Sequence, residues 1–430
     1  MKIAFHTLGC KVNQNDTESL ASMFRERGHD IVSFEEPVDV YIINTCSVTN
    51  LGERKSRQII RKATGAIPQP VVVVTGCYAQ TSPEDVAGIA GVNLVVGMAE
   101  RPQLVKLVEE YFKDRQNKVR VSDVGLEKFW TKLPVSHSSE RTRSTLKVQE
   151  GCDQFCSYCI IPLARGRIRS LPLNEAVGEF TALVAGGYRE IVLTGIHLGA
   201  YGKDLGLTLA DLLKELLRIP GDFRIRLGSI EPNDFDENLI EMIINNKRIC
   251  QYLHIPLQSG SDHILKLMNR HYSLKYYHDL LKRIRSKNPL IAIGTDLIVG
   301  FPGETEQDFI EICQFLEEEA FSRVHVFRFS PRKGTAAATF PGRIPGQVQE
   351  ARSKKVQEIA TKTSLDYACR FMGKYVEVLF EEKTATGWTG LSGEYLRAEI
   401  ATDADLKNKL TKVLITEISG NILKGTYFLY

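Results

Sequence analysis

The stretch Glu150-Gly151-Cys152-Asp153-Gln154-Phe155-Cys156-Ser157-Tyr158-Cys159 places three cysteines within eight residues. Thr145–Gln149, directly before it, reads as a strand, so the three thiols fall on one loop at a strand end. Thiolates suit zinc and iron–sulfur clusters. A structural zinc site takes four ligands, and no fourth Cys or His adjoins these three. Three thiols in a C-x3-C-x2-C spacing wrap one face of a cluster. They leave one iron of a [4Fe–4S] cube open to a small chelating molecule.

Downstream, a βα alternation continues. Strands are predicted at Glu190–Thr194, Phe223–Gly228, Tyr252–Pro256, Ile291–Val299 and Arg323–Phe329. Helical patterns fall between them at Leu173–Ala185, Leu209–Arg218, Glu237–Asn245, His263–Met268, Leu274–Ser286 and Glu306–Glu319. With Thr145–Gln149 this makes six βα repeats, a partial (β/α)6 TIM barrel whose chemistry belongs at the strand ends. The expected core unit is 144–366, closing on a Lys-, Arg-, Gln- and Glu-rich helix at 346–366.

Upstream, Cys10, Cys46 and Cys77 share a context. Lys2–Thr7, Val38–Asn44 and Val71–Thr75 read as strands, and each ends at Gly9-Cys10, Thr45-Cys46 or Gly76-Cys77. Helical sequence follows the first two, at Asp16–Arg27 and Arg54–Ala63. Such βαβ units predict a Rossmann-like parallel sheet over 1–112, in which residues past the strand ends share a crevice. Three distant cysteines can converge there. Residues 113–143, rich in Lys, Arg, Ser and Asp, read as a linker. From 367 to 430 five short strands with turn signals predict a small β-barrel.

The whole chain fits this multidomain α/β reading. It has 430 residues, 43% hydrophobic and 25% charged, which excludes a disordered or low-complexity protein and allows more than one core. The net charge of +3 makes any basic face local. No apolar run approaches the about 18 residues of a membrane span, and the N-terminus enters strand-like sequence without a signal-peptide pattern. A cytoplasmic protein is the expectation. Nine cysteines then point to metal or redox chemistry rather than disulfides.

The thiol loop after the first barrel strand closely resembles that of the radical S-adenosylmethionine (radical SAM) superfamily. Further motifs narrow the resemblance to the methylthiotransferases: Gly9-Cys10-Lys11-Val12-Asn13-Gln14, NTCSVT at 44–49, GCYAQ at 76–80, LTGIHL at 193–198, LGSIEP at 227–232, HIPLQSGSD at 254–262, MNR at 268–270 and TDLIVGFPGET at 295–305. The C-terminal module resembles the TRAM domain, an RNA-binding barrel.

This resemblance implies two [4Fe–4S] clusters. Cys152, Cys156 and Cys159 would hold the one that binds and cleaves S-adenosylmethionine (SAM). Cys10, Cys46 and Cys77 would hold an auxiliary cluster that carries the sulfur. Both must face one cavity with the substrate between them. Strand-end position and the resemblance nominate Tyr158 for the adenine, Thr194, Gly195 and His197 for the methionine part, and Ser229 and Glu231 for the amino group or ribose. His254, Gln258, Asp296 and Gly300 complete the set. Glu231 and Asp296 also suit helix capping, His254 a core position, and Arg270 either cofactor contact or helix support.

Three branches are known by substrate: isopentenyladenosine in tRNA, threonylcarbamoyladenosine (t6A) in tRNA, and an aspartate of a ribosomal protein. The residues after Cys10 resemble the t6A branch. That implies 2-methylthiolation of t6A, or its cyclic form, at position 37 beside the anticodon, with the base flipped from its stack. A reductant and a sulfur source are also required, and the sequence names neither. A non-catalytic cluster protein would need no SAM pocket. Monomer is the default.

An RNA partner predicts basic patches: Arg54, Lys55, Arg57, Arg61 and Lys62 near Cys46; Arg165, Arg167 and Arg169 on one side of an extended segment; and Arg328, Arg332 and Lys333 after the sixth strand. From 370 to 430 eight Lys and Arg balance eight Asp and Glu. RNA contact there would fall to Lys383, Lys407, Lys409 and Lys412, or to stacking by Trp388 and Tyr395.

Overall fold

The computed structural model describes residues 1–134 and 142–427. The N-terminal sheet contains β1 (Lys2–Thr7), β2 (Asp30–Val32), β3 (Val40–Thr45), β4 (Val71–Gly76), β5 (Leu94–Val96) and β6 (Lys118–Arg120), all parallel, in the order β2-β1-β3-β4-β5-β6. The central strands β3 and β4 are buried along their whole length, as a parallel sheet covered on both faces requires. Side chains alternate between two cores. Ile3, Val40, Ile42, Val71 and Val73 pack under α1 (Lys11–Glu26) and, C-terminal to β5, α5 (Leu104–Asp114). Ala4, Ile43, Val72 and Val74 face α2 (Asn50–Thr64) and the short α3 (Cys77–Thr81) and α4 (Pro83–Ala87).

The expected linker is structured at its start. Helix α5 runs to Asp114, and Lys118–Arg120 adds the sixth strand. As an edge strand, β6 flanks one exposed valine with Lys118 and Arg120 and so reads as loop.

The second unit begins at β7 (Arg143–Lys147). The two-stranded ladder β8 (Gln149–Glu150) and β9 (Arg169–Ser170) frames the thiol loop and α6 (Ile161–Arg165). The strands β10 (Glu190–Thr194), β11 (Arg224–Leu227), β12 (Tyr252–His254), β13 (Ala292–Val299) and β14 (Arg323–Arg328) follow in order. Two parallel three-stranded sheets, β7-β10-β11 and β12-β13-β14, are joined by the bridge Ser229–His254 into one partial barrel. The outer layer comprises α7 (Leu173–Ala185), α8 (Leu209–Leu216), α9 (Glu237–Asn245), α10 (Asp262–Leu267), α11 (Leu274–Lys287) and α12 (Glu306–Glu319). Capping boxes at Thr208/Asp211 and Thr305/Asp308 start α8 and α12. Leu146, Ile191, Leu193, Ile225, Leu227, Leu253, Ile293, Leu297 and Val324 pack under the helices. By the two-residue period their neighbours Thr145, Val192, Arg226, Tyr252, His254, Asp296, Arg323 and His325 look into the barrel.

Helix α13 (Gly346–Cys369) packs along β14 and leads into a closed barrel of β15 (Tyr375–Lys383), β16 (Gly387–Ser392), β17 (Arg397–Ala401), β18 (Leu410–Ser419) and β19 (Ile422–Tyr427). The barrel is bolted to the central unit. Arg224 donates to the carbonyls of Glu377 and Leu391 at 3.0 and 2.7 Å, and Arg226 to those of Ser392 and Gly393 at 2.9 and 3.2 Å. Tyr252 and Ala292 belong to the barrel's own core. No helix among the described residues is long and apolar enough to cross a membrane.

Candidate active site

Each thiol loop depends on a glycine with positive φ. At Gly76 (φ +97°) a Cβ would run into the backbone of Thr45, so only glycine lets the Cys77 loop lie against the one carrying Cys46. At Gly151 (φ +74°) a Cβ would meet the Arg167 carbonyl across the β8–β9 ladder.

The early thiols sit at helix starts or strand ends. Cys10 caps α1 without a side-chain cap bond, Cys46 follows β3, and Cys77 is the first residue of α3. Burial pushes the Cys46 thiol up to about 11, and Cys77 and Cys10 beside it add to the shift. Burial also raises Cys77, against the pull of Arg165. In the second trio, burial followed by Cys156 and Cys152 pushes Cys159 up to about 12. Cys156 is raised by burial and opposed by Arg270, whose Nη1 lies 3.3 Å from its Sγ. Within each trio the thiols thus sense one another, and all nine cysteines are free. No group of three His, Cys, Asp or Glu among the described residues closes on a single metal ion. A four-iron cube spreads its ligands further than one ion does, and three soft, mutually repelling thiols are the donor set such a cube takes.

The two trios are tied together by a buried ionic node. Asp16, one and a half turns past Cys10, receives Arg101 at 2.6 Å, Lys147 at 2.5 Å and Arg165 at 2.9 Å. Glu150, two residues before Cys152, pairs with Lys147 at 2.8 Å and with Arg165. Asn13 accepts from Arg165 and donates to the carbonyls of Leu8 and Thr45 at 2.7 and 3.0 Å. Burial opposes ionisation of both carboxylates. Lys147, Arg101 and Arg165 nevertheless hold Asp16 well below the usual carboxylate range, and Lys147 and Arg165 bring Glu150 down to about 2. Cys77 packs on Ala164, the residue before Arg165.

Around the second trio, His197 Nδ1 stands 3.7 Å from Cys152 Sγ and Nε2 2.5 Å from Asp234, which also meets Lys203 at 2.8 Å. Burial disfavours the imidazolium, but the bonds to Asp234 and Cys152 outweigh it and lift His197 to about 9. Gln149 accepts from the His197 amide at 2.7 Å, beside Gly195 and Thr194 at the end of β10. Arg270 pairs with Glu231. His254 and Asp296, inward on β12 and β13, meet at 3.1 Å, and Ser229 bridges to His254. Gln258 bridges to Leu297 with φ 66°. Tyr158 is half-buried edge-on to Phe301, and desolvation of its hydroxyl raises its pKa well above the ordinary value.

Several sequence expectations change. Arg165 and Arg169 do not face RNA. Arg165 is fully buried in the ionic node, and Arg169 donates to the carbonyls of Arg165 and Glu127. Arg165 ends a helical turn, so the assumed row on an extended segment holds only at Arg167, which is exposed over Phe155. Arg332 is buried against Glu53 and Asn50, whereas Arg328 and Lys333 remain exposed. Trp388 is core, and Tyr395 is stacked on Tyr252 at 4.6 Å instead of standing open. The Gly300 amide is taken by Glu304 at 3.0 Å, and Gln349 occupies the space a Cβ would need. Asp16, Arg101, Lys147, Glu150 and Asp234 were missed. The one available signal was their place a few residues from the cysteine motifs or the strand ends.

A half-barrel with three thiols on its first strand-end loop defines a radical-SAM type of site, and comparison with known proteins agrees. Residues 146–316 match the Radical SAM superfamily, and residues 2–97 match a family described as uncharacterized protein family UPF0004. The chain is 40% identical over 99% of its length to the threonylcarbamoyladenosine tRNA methylthiotransferase MtaB of Bacillus subtilis, covering 96% of that protein. It is 41% identical over 89% to the Aquifex aeolicus protein of the same name, covering 93% of it. Against the tRNA-2-methylthio-N(6)-dimethylallyladenosine synthase of Fusobacterium nucleatum identity is 33% over 99% of both chains. The fold matches the radical S-adenosylmethionine methyltransferase TsrM of Kitasatospora setae with TM-score 0.59, at 14% identity, over 78% of this chain and 77% of that one. The chain belongs to the radical SAM methylthiotransferase family that these relatives represent. That membership implies an iron–sulfur cluster and SAM.

Proposed function

We propose that this enzyme converts t6A at position 37 of tRNA into its 2-methylthio derivative, using two [4Fe–4S] clusters and SAM. The observation that carries the reading is the node of Asp16, Arg165 and Glu150, which ties the Cys10 helix to the Cys152 loop. Similarity to proteins named for threonylcarbamoyladenosine selects the nucleoside.

When bound, the clusters and SAM would supply one-electron chemistry able to replace an unactivated aromatic C–H bond, together with the methylthio group that replaces it. The chain's part is to hold and to exclude. Cys152, Cys156 and Cys159 take one cluster, and Cys10, Cys46 and Cys77 the other. Thr194, Gly195, Ser229, Glu231 and His254 at or just past the strand ends, with Asp296 inward on β13 beside His254, would contact SAM, and Arg270 orients Glu231. His197, held by Asp234, puts a positive group against Cys152 Sγ and would stabilise an anionic cluster bound there. Exposed Arg54, Lys55, Arg61, Arg167, Arg328 and Lys333 supply phosphate contacts for the anticodon stem-loop.

Mass spectrometry of tRNA nucleosides from a strain lacking the gene tests this. Loss of 2-methylthio-t6A with the dimethylallyl derivative intact is expected. The reverse pattern would reassign the substrate.

A further inference from the structure

Inside the half-barrel, below the strand ends, lies a charged floor that the cluster and SAM sites leave unused. Tyr395, from the turn after β16, enters here and stacks on Tyr252 at 4.6 Å with 22° between the rings. It does so with φ 67°, a left-handed conformation that a bulky residue adopts only when its surroundings enforce it. Three cations surround its ring: Arg226 at 4.9 Å, Arg323 at 5.3 Å and Lys11 at 5.7 Å. They come from two units of the fold, with Tyr395 from a third, and Lys11 is the residue after Cys10.

Two cavities meet at this ring. One of about 750 Å³ is bounded by Tyr252, Arg323, His325, α13 and the Glu394–Arg397 turn. The other, about 410 Å³, is bounded by Lys11, Gln14, Thr145, Val192 and Glu381. Both share Arg143, Tyr395 and Arg397. The trough therefore runs from the Cys10 helix to the C-terminal barrel.

Most charges around it are neutralised. Glu190 is held by Arg224 and Arg226 at 2.7 Å each, Glu381 by Arg143 at 2.6 Å, and Asp296 by His254 at 3.1 Å. Lys11 and Arg323 have no carboxylate partner among the described residues, and both are exposed to the trough. Burial works against the phenolate of Tyr395, yet Lys11, Arg226, Arg323 and Arg143 outweigh it and hold its pKa below the ordinary tyrosine value. Glu394, on the larger cavity's wall, keeps Oε2 buried without a hydrogen-bond partner.

From this we infer that Lys11 and Arg323, set over Tyr395, bind the free carboxylate of an amino-acid appendage on the substrate nucleoside. The inference rests on the t6A reading and deepens it: the preferred substrate is the open acid, since the cyclised form has no carboxylate. A dimethylallyl group would leave both cations unanswered, a cost that discriminates against it.

The test compares kcat/KM of the reconstituted enzyme on three t6A-bearing anticodon stem-loops: the acid, its methyl ester and its cyclised form. Wild type is expected to prefer the acid over both by roughly tenfold or more, the scale of a charge-assisted contact. Arg323→Gln should raise KM for the acid and bring the acid-to-ester ratio near one, and Arg323→Lys should restore part of it. Equal rates on acid and ester by wild type would overturn the inference and leave the t6A reading standing. So would an unchanged ratio in a folded, iron-replete Arg323→Gln. If wild type modifies none of the three but modifies a dimethylallyladenosine stem-loop, the t6A reading itself fails.

Discussion

Asp16 carries more of the site than its place in the sequence suggests. It is fully buried and answers three cations, so replacing it with alanine leaves Arg101, Lys147 and Arg165 short of their anion. Breaking one side of a buried ionic network costs about 3–5 kcal/mol, and denaturant unfolding of Asp16→Ala should show a loss on that scale. The same node sets an acid limit. Asp16 and Glu150 are both depressed, so their contribution is complete above the ordinary carboxylate pKa near 4 and is lost as pH falls through their folded values, about 2 for Glu150. Acid unfolding followed by circular dichroism should steepen below about pH 4, and Asp16→Asn should flatten it. His197 runs the other way. Its raised pKa gives stability that is full below the ordinary histidine value and disappears as pH rises through about 9. In the metal-free protein, NMR titration of Asp234→Asn should find His197 ionising well below the wild-type midpoint.

At the scale of elements, the turns after β4 and β8 decide whether the thiols converge. Gly76→Ala would press a methyl into the Thr45 backbone and force a side chain into a positive-φ position. The expected result is a drop in melting temperature, corresponding to at least about 1–3 kcal/mol, and iron lost at the auxiliary site while the Cys152 loop keeps its own. The cysteine motifs and the βα periodicity were legible because both are local: a strand, a turn and a thiol lie within ten residues. What was not legible depends on contacts between distant segments. Arg165 looked like a surface arginine until α1 supplied Asp16. Trp388 and Tyr395 looked like stacking platforms until barrel closure and Tyr252 covered them. The edge strand β6 looked like linker because an edge does not need apolar side chains.

At the scale of the whole molecule, the C-terminal barrel and the half-barrel share hydrogen bonds and a core. Arg224 and Arg226 end on carbonyls of the C-terminal barrel, and Tyr252 and Ala292 complete its core. Removing the barrel would strip Arg224 and Arg226 of their carbonyl acceptors, leaving Glu190 alone to answer both, and expose the Tyr252 floor. A chain ending after α13 should therefore aggregate or melt far below the full protein, and calorimetry of the intact chain should show the barrel and the half-barrel unfolding together. The succession of parallel βα units was readable from the sequence. That the barrel plugs the half-barrel, rather than dangling beside it, was not, because it rests on a few arginines meeting backbone carbonyls.

The central claim is that two separate cysteine trios each hold a four-iron cube. Iron and acid-labile sulfide, counted after anaerobic reconstitution, test it most directly. The wild-type chain should bind about eight irons and the Cys10→Ala, Cys46→Ala, Cys77→Ala triple variant about four. Four irons in the wild type, or eight in the folded triple variant, would contradict it.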